Sequence, residues 1–214
     1  MRRLHLSVLL VPIIVLNYEL ALCQVQDPIN YGIAEVSANG SGCKNSSVHV
    51  VLSPDAATFT LLYDQFAIDL RQADQQVDAM CTITIRINKP IQMGYSVGPA
   101  ELRGFVTLDS QMIASESVSM MLATGPDKRD NAEFNETKWN GPTQENFTVT
   151  TEPRNPQTGK TFCHKMREEK FVIRSNLRIK RSGSPGEGQL AMDSIDGKLS
   201  QKFHLNWSSC ENKK

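Results

Sequence analysis

The sequence predicts an all-β domain: an antiparallel β-sandwich of jelly-roll-like or Greek-key type, stapled by disulfides. Three observations predict it. Apolar and polar residues alternate with period two through most of the chain. Turn residues separate these runs into short strands. Four cysteines follow an apolar leader, an even number that suits an exported chain.

The leader comes first. Arg2 and Arg3 form a positive start, Leu4 to Leu16 an apolar run, and Ala21-Leu22-Cys23 carries small residues where signal peptidase reads them. A signal peptide over 1–23, cut after Cys23, is therefore expected, leaving 24–214 as one secreted domain. The apolar run, interrupted by Pro12, is shorter than the roughly 20 residues of a membrane-spanning helix. Acylation of Cys23 is the competing reading, although Leu22 stands where that signal takes a small residue. The final residues, Ser208 to Lys214, offer no hydrophobic tail for a GPI signal.

The 214 residues are 40% apolar, enough for a sizeable core. Lys plus Arg and Asp plus Glu both number 23, so the net charge is zero. Such a chain has no basic footprint for nucleic acid, and none is expected as a partner.

Strands are expected at Ser47–Ser53, Thr58–Tyr63, Phe66–Leu70, Cys81–Ile87, Arg103–Ser110, Ser115–Leu122, Phe171–Lys180 and Leu199–Ser208. In Cys81–Ile87 the three isoleucines face one way and Thr82, Thr84 and Arg86 the other. In Leu199–Ser208, Phe203, Leu205 and Trp207 share the apolar face, opposite His204 and Asn206. Ser53-Pro54-Asp55 breaks the first two strands. Asp196-Gly197 signals a tight hairpin between Leu190–Ile195 and Lys198–Trp207. Ser182 to Gly188 reads as a hairpin loop, and Gly125–Gly141 and Thr151–Lys160 as surface loops. Asp64–Met80 has room for a short helical turn at its polar end.

The four mature cysteines, Cys43, Cys81, Cys163 and Cys210, allow three pairings. Cys43–Cys81 and Cys163–Cys210 are favoured because each closes a loop within one half of the chain. No C-x-x-C pair suggests zinc. Five N-x-S/T sequons, at Asn39, Asn45, Asn135, Asn146 and Asn206, are more than chance placement among thirteen asparagines gives, and point to glycosylation on a secretory route. At Asn146 and Asn206 the alternation puts the asparagine on the polar face.

Chemistry is harder to find. There is no G-x-S-x-G elbow, H-E-x-x-H or EF-hand spacing. Asp193 and Asp196 resemble a calcium loop only loosely, and neither metal nor cofactor is expected. His49 and His204 fall on polar strand faces; His164 completes the mature histidines. Asp64, Asp69 and Asp74 are carboxylate candidates by composition alone. Trp139, Trp207, Tyr63 and Tyr95 are the aromatics available to stack on a sugar; Trp207 sits in core phase, whereas Trp139 lies in a polar loop and is the better ligand-stacking candidate. Arg178-Ile179-Lys180-Arg181 fits a dibasic processing motif, but alternation explains it as a strand with Arg178 and Lys180 outward.

Three segments resemble a known family. The first is Gly40-Ser41-Gly42-Cys43, with Val48–Leu52, Ser53-Pro54-Asp55 and Thr58–Phe66. The second is Cys81-Thr82-Ile83. The third is Asp193–Leu199 with Phe203–Trp207 and Cys210. Together, from about Tyr31 to Cys210, they resemble the DUF4360 family of small secreted proteins; Met112–Lys160 matches poorly. The resemblance implies an exported β-rich domain with the same four cysteines, and no activity. A non-enzymatic extracellular protein is therefore expected, a surface- or wall-associated module or interaction factor with polysaccharide or extracellular protein as its partner. A secreted polysaccharide hydrolase and a secreted inhibitor or effector are the alternatives.

Overall fold

A computed structural model describes residues 31–123, 129–154, 161, 163, 166–192 and 200–210. The expected signal peptide, its cleavage after Cys23, His164 and the Asp193–Leu199 motif lie outside these residues. Two antiparallel sheets pack face to face as a sandwich, as the sequence predicts. One six-stranded sheet holds β1 (Gly32–Asn39), β5 (Gln76–Asn88), β11 (Glu168–Arg181) and β7 (Met112–Ala123) in that order. Beyond β7, β8 (Arg129–Glu133) pairs with one end of that strand and β9 (Thr137–Asn140) with the other.

The seven-stranded sheet is organised on β6 (Met93–Leu108). β10 (Thr143–Thr151) pairs with Ala100–Leu108 of β6. β13 (Ser200–Ser209) pairs along Met93–Leu102, and β12 (Gly188–Ala191) along Phe105–Leu108. Since β10 overlaps both registers, β12 and β13 occupy the other edge of β6, end to end. β3 (Thr58–Tyr63) and β4 (Ala67–Leu70) continue the sheet outward from β13 and β12, and β2 (Val48–Leu52) pairs with β3. A short 3-10 turn, Asn45–Ser47, precedes β2.

This arrangement corrects several expectations. The strands that flank the Asp196-Gly197 motif, β12 and β13, do not pair with each other: both run antiparallel to β6 and so in one direction, while the motif itself lies outside the described residues. Ser182–Gly188 is a crossover between sheets, not a hairpin, since β11 and β12 lie in different sheets. Gly125–Gly141 is no continuous loop, because it contains β8 and β9. Asp64–Met80 holds no helix; β4 and the start of β5 occupy most of it, with one hydrogen-bonded turn between them in which the Asp74 amide donates to the Arg71 carbonyl at 2.9 Å. The Ser53-Pro54-Asp55 turn does join paired strands, β2 and β3. Asp55 Oδ1 accepts from Ser53 Oγ at 2.6 Å and from the Ala57 amide at 3.0 Å, which holds the pKa of its exposed carboxyl below the ordinary value.

Burial follows the alternation. Cys81, Ile83, Ile85 and Ile87 face the core from β5, as do Phe171, Ile173, Leu177 and Ile179 from β11. Phe59 stacks on Phe203 at 5.1 Å within the other sheet and meets Phe171 across the gap at 6.0 Å. Burying each such ring contributes roughly 1.5–3 kcal/mol. A Lys89–Glu169 ion pair at 3.5 Å is also buried, with Lys89 Nζ donating to the Met93 carbonyl. Cys43 is bridged to Cys81, and Cys163 to Cys210. The first bridge is buried, whereas Cys163 is exposed.

Candidate functional site

The outer face of the six-stranded sheet carries a groove of about 340 Å³. Three neighbouring strands line it, because register places their outward residues side by side. Arg178 on β11 lies between Asp78 on β5 and Ser115 on β7; two residues along, Asn176 lies between Met80 and Ser117. Ser41 and Glu136 stand among the lining residues as well. The wall beside Met80 depends on close backbone approach: a Cβ at Gly40 would meet the Met80 carbonyl oxygen at 2.0 Å. Ser41 Oγ then accepts from the Met80 amide at 3.0 Å, holding that wall to β5.

The groove is organised by charge. Arg178 Nε donates to Asp78 Oδ1, whose other oxygen accepts from Gln76 Nε2 at 2.6 Å. Glu136 pairs with Lys138 at 2.9 Å. Hydrogen bonds and the nearby cations outweigh partial burial, so the Asp78 and Glu136 carboxyls are both held below their ordinary pKa. Both are carboxylates at neutral pH. Asn176 Nδ2 donates to Ser117 Oγ at 3.4 Å. The result is a shallow polar trough with hydroxyl, amide, guanidinium and carboxylate groups, floored by the partly exposed Met80.

A larger open cleft, about 760 Å³, lies where β4, β6 and β12 meet the Arg71–Ala73 turn. Two of its three acids, Asp69 and Asp109, are engaged in the fold. Asp69 accepts from Gln189 Nε2 at 2.8 Å, and Asp109 from the Glu187 amide at 2.7 Å. Among the described residues, no cluster of His, Cys, Asp and Glu is arranged to hold a metal.

Directly beneath the groove lies a polar cluster inside the core. Ser115 and Ser117 face outward, so Glu116 between them points inward and is fully buried. Gln201 on β13 donates from Nε2 to Glu116 Oε1 at 2.6 Å. Gln201 Oε1 accepts from Tyr63 Oη on β3 at 2.7 Å and from Ser175 Oγ on β11 at 2.8 Å. Burial pushes the Glu116 carboxyl up to about 7, against the opposing effect of the Gln201 hydrogen bond. Burial likewise raises the Tyr63 phenol.

The residues singled out from sequence are dispersed. Trp139 does not lie in an exposed loop: it sits in β9, 7% exposed, with its ring 4.3 Å from Phe147. Alternation within the short strand Thr137–Asn140 turns it inward, where the polar composition of the segment had suggested a loop. Tyr63 and Tyr95 are buried, and Trp207 is partly buried between Tyr31 and Tyr95, with Nε1 donating to the Ala56 carbonyl. Asp64 faces His49 at 3.6 Å on an exposed surface, whereas Asp69 lines the larger cleft. All five sequon asparagines, Asn39, Asn45, Asn135, Asn146 and Asn206, are exposed. Asn39 and Asn135 adjoin the groove segments that carry Ser41 and Glu136. No helix among the described residues is long and apolar enough to cross a membrane.

The groove residues Asp78, Arg178, Asn176, Ser115, Ser117 and Glu136, and the buried pair Glu116 and Gln201, were not found from sequence. Groove membership depends on register between distant strands. The buried pair did leave a signal, since Glu116 is in phase with Ala114 and Val118, and Gln201 with Phe203 and Leu205.

The model of the domain of unknown function DUF4360 matches residues 30–210, and the chain belongs to that family. An uncharacterised secreted protein of Arthroderma benhamiae is 25% identical over 188 residues, covering 87% of this chain and 74% of that protein. A solved carbohydrate-binding module in complex with beta-1,4-galactotriose aligns with 82% of this chain and 90% of its own, at 12% identity and a TM-score of 0.26. A structure of carbohydrate-binding modules from the β-sandwich superfamily aligns with 86% and 87%, at 6% identity and a TM-score of 0.26. No ligand is carried over from either.

Proposed function

We propose that this member of the DUF4360 family is a secreted, non-enzymatic binding module that engages a hydroxyl-rich extracellular polymer, such as wall polysaccharide, through the outer groove of the β5–β11–β7 face. The observation that carries the reading is the groove itself. Its volume of about 340 Å³ suits one or two small polar units. Asp78 and Glu136 offer carboxylate acceptors, Ser115, Ser117 and Asn176 offer groups that donate and accept, and Arg178 is fixed by Asp78. A sugar hydroxyl donates and accepts at once, so it complements this mixture. With Asp78 paired to Arg178 and Glu136 to Lys138, the groove is charge-balanced and offers an anionic polymer no net attraction.

The same chemistry argues against hydrolysis in the groove. A glycosidase needs one carboxyl kept protonated as its acid. Asp78 and Glu136 are both shifted the other way. Glu116, the carboxyl shifted upward, is enclosed in the core, where no substrate reaches it.

The testing experiment is retention of the secreted protein on soluble and insoluble polysaccharides, with released sugar assayed in the same wells. Retention without release supports the module. Release would replace it with a hydrolase, and failure to bind any polysaccharide would turn attention to a protein partner.

A further inference from the structure

We propose that Glu116 is a pH-sensitive pin between the two sheets, protonated while the sandwich is closed, and that loss of its proton loosens the strands beneath the groove. The inference stands on where the carboxyl is and what meets it. Its residue is 0% exposed. One oxygen takes the Gln201 amide at 2.6 Å, and the other, Oε2, has no hydrogen-bond partner among the described residues. A carboxylate there would keep its charge in a low-dielectric interior with one hydrogen bond to stabilise it.

The groups facing Glu116 offer no compensating charge. From β3 comes the Tyr63 phenol, neutral through this range because burial raises it. From β13 comes Gln201, and from β11 come Ser175 and Leu177, the latter Glu116's register partner. From β9 comes Thr137, its other register partner. The charged residues that flank these groups, Arg174 and Arg178 on β11, Glu136 and Lys138 at β9 and Lys202 on β13, alternate onto the outer faces, where Arg178 pairs with Asp78, Lys138 with Glu136 and Lys202 with Glu101. Among the described residues, the cluster therefore favours the neutral acid.

The direction of the pH dependence follows. Glu116 titrates higher in the folded chain, at about 7, than the ordinary 4.5. Its contribution is complete below the unfolded value and is lost as pH rises through the folded one. The shift corresponds to a loss on the order of a hundredfold in the folding equilibrium between about pH 4.5 and somewhat above 7. Because Ser115 and Ser117 are Glu116's immediate neighbours, the loosening is transmitted to the groove. That last step rests on the groove being the binding surface; the stability effect does not.

The test is urea denaturation of the secreted chain from about pH 5 to about pH 9, for the wild type and for Glu116→Gln. The wild-type midpoint should fall through this window, and the difference between the two proteins should grow with pH. Every titratable group other than Glu116 is common to both proteins and cancels in the comparison. Parallel curves would overturn the proposal. If Glu116→Gln fails to fold, infrared spectroscopy of carbon-13-glutamate-labelled wild type decides. A protonated-carboxyl band should persist above about pH 5.5, where exposed glutamates are ionised, and vanish on further titration. Its absence there would overturn the proposal equally. Polysaccharide retention over the same pH range tests the link to the groove separately, and a flat profile would confine the pin to stability.

Discussion

Gln201 reaches across the sandwich and donates to Glu116 at 2.6 Å, while its own oxygen accepts from Tyr63 and Ser175. One side chain thus satisfies polar groups from three other strands. Leucine at position 201 would strand all of them. Each buried group left without a partner costs roughly 1–3 kcal/mol. Gln201→Leu should lower unfolding stability by about 3 kcal/mol or more, read as a shifted urea midpoint at acidic pH. A change below about 1 kcal/mol would mean the cluster is not a unit.

Trp139 offers a second prediction. Its ring packs on Phe147 inside the sandwich, so Trp139→Ala should cost about 3–5 kcal/mol in stability. Polysaccharide retention per folded molecule should be unchanged. Lost retention with intact stability would restore Trp139 to the binding surface.

The fate of Trp139 shows what the sequence made legible. Alternation in Cys81–Ile87 and Phe171–Lys180 identified strands and their buried faces, since a two-residue period survives any topology. It failed where a short strand carries polar neighbours, as in Thr137–Asn140. It also failed at Gly98-Pro99 in β6, where the ladder against β13 shifts register between Phe203 and Leu205. The Asp-Gly signal promised a hairpin because turn chemistry is local, whereas β12 and β13 are placed by their common partner β6. The groove was beyond reach for the same reason: Asp78, Arg178 and Ser115 are neighbours only through the pairing of three strands.

The two disulfides should behave differently. They span 38 and 47 residues, so each contributes roughly 4 kcal/mol in the chain-entropy account. Cys43 and Cys81 are buried, but Cys163 is exposed. Mild reductant followed by alkylation and mass mapping should label Cys163 and Cys210 first. Labelling of Cys43 and Cys81 first would contradict the packing.

Arg181 should be silent as a processing site in the folded chain. It is 5% exposed, and its Nη1 donates to the carbonyls of Gln72 and Gly186 at 2.9 and 3.4 Å. A dibasic-specific protease should leave the native protein intact and cut after denaturation. Native cleavage into two pieces held by Cys163–Cys210 would contradict this.

The groove's role is tested most directly by polysaccharide retention of the wild type beside Arg178→Ala. The Arg178–Asp78 pair is solvent-exposed, and such pairs contribute about 0–1 kcal/mol to stability, so the variant should fold normally. The account predicts that the wild type is retained without releasing sugar and that Arg178→Ala passes through unretained. Equal retention of the two proteins would contradict it, placing the binding surface elsewhere on the sandwich.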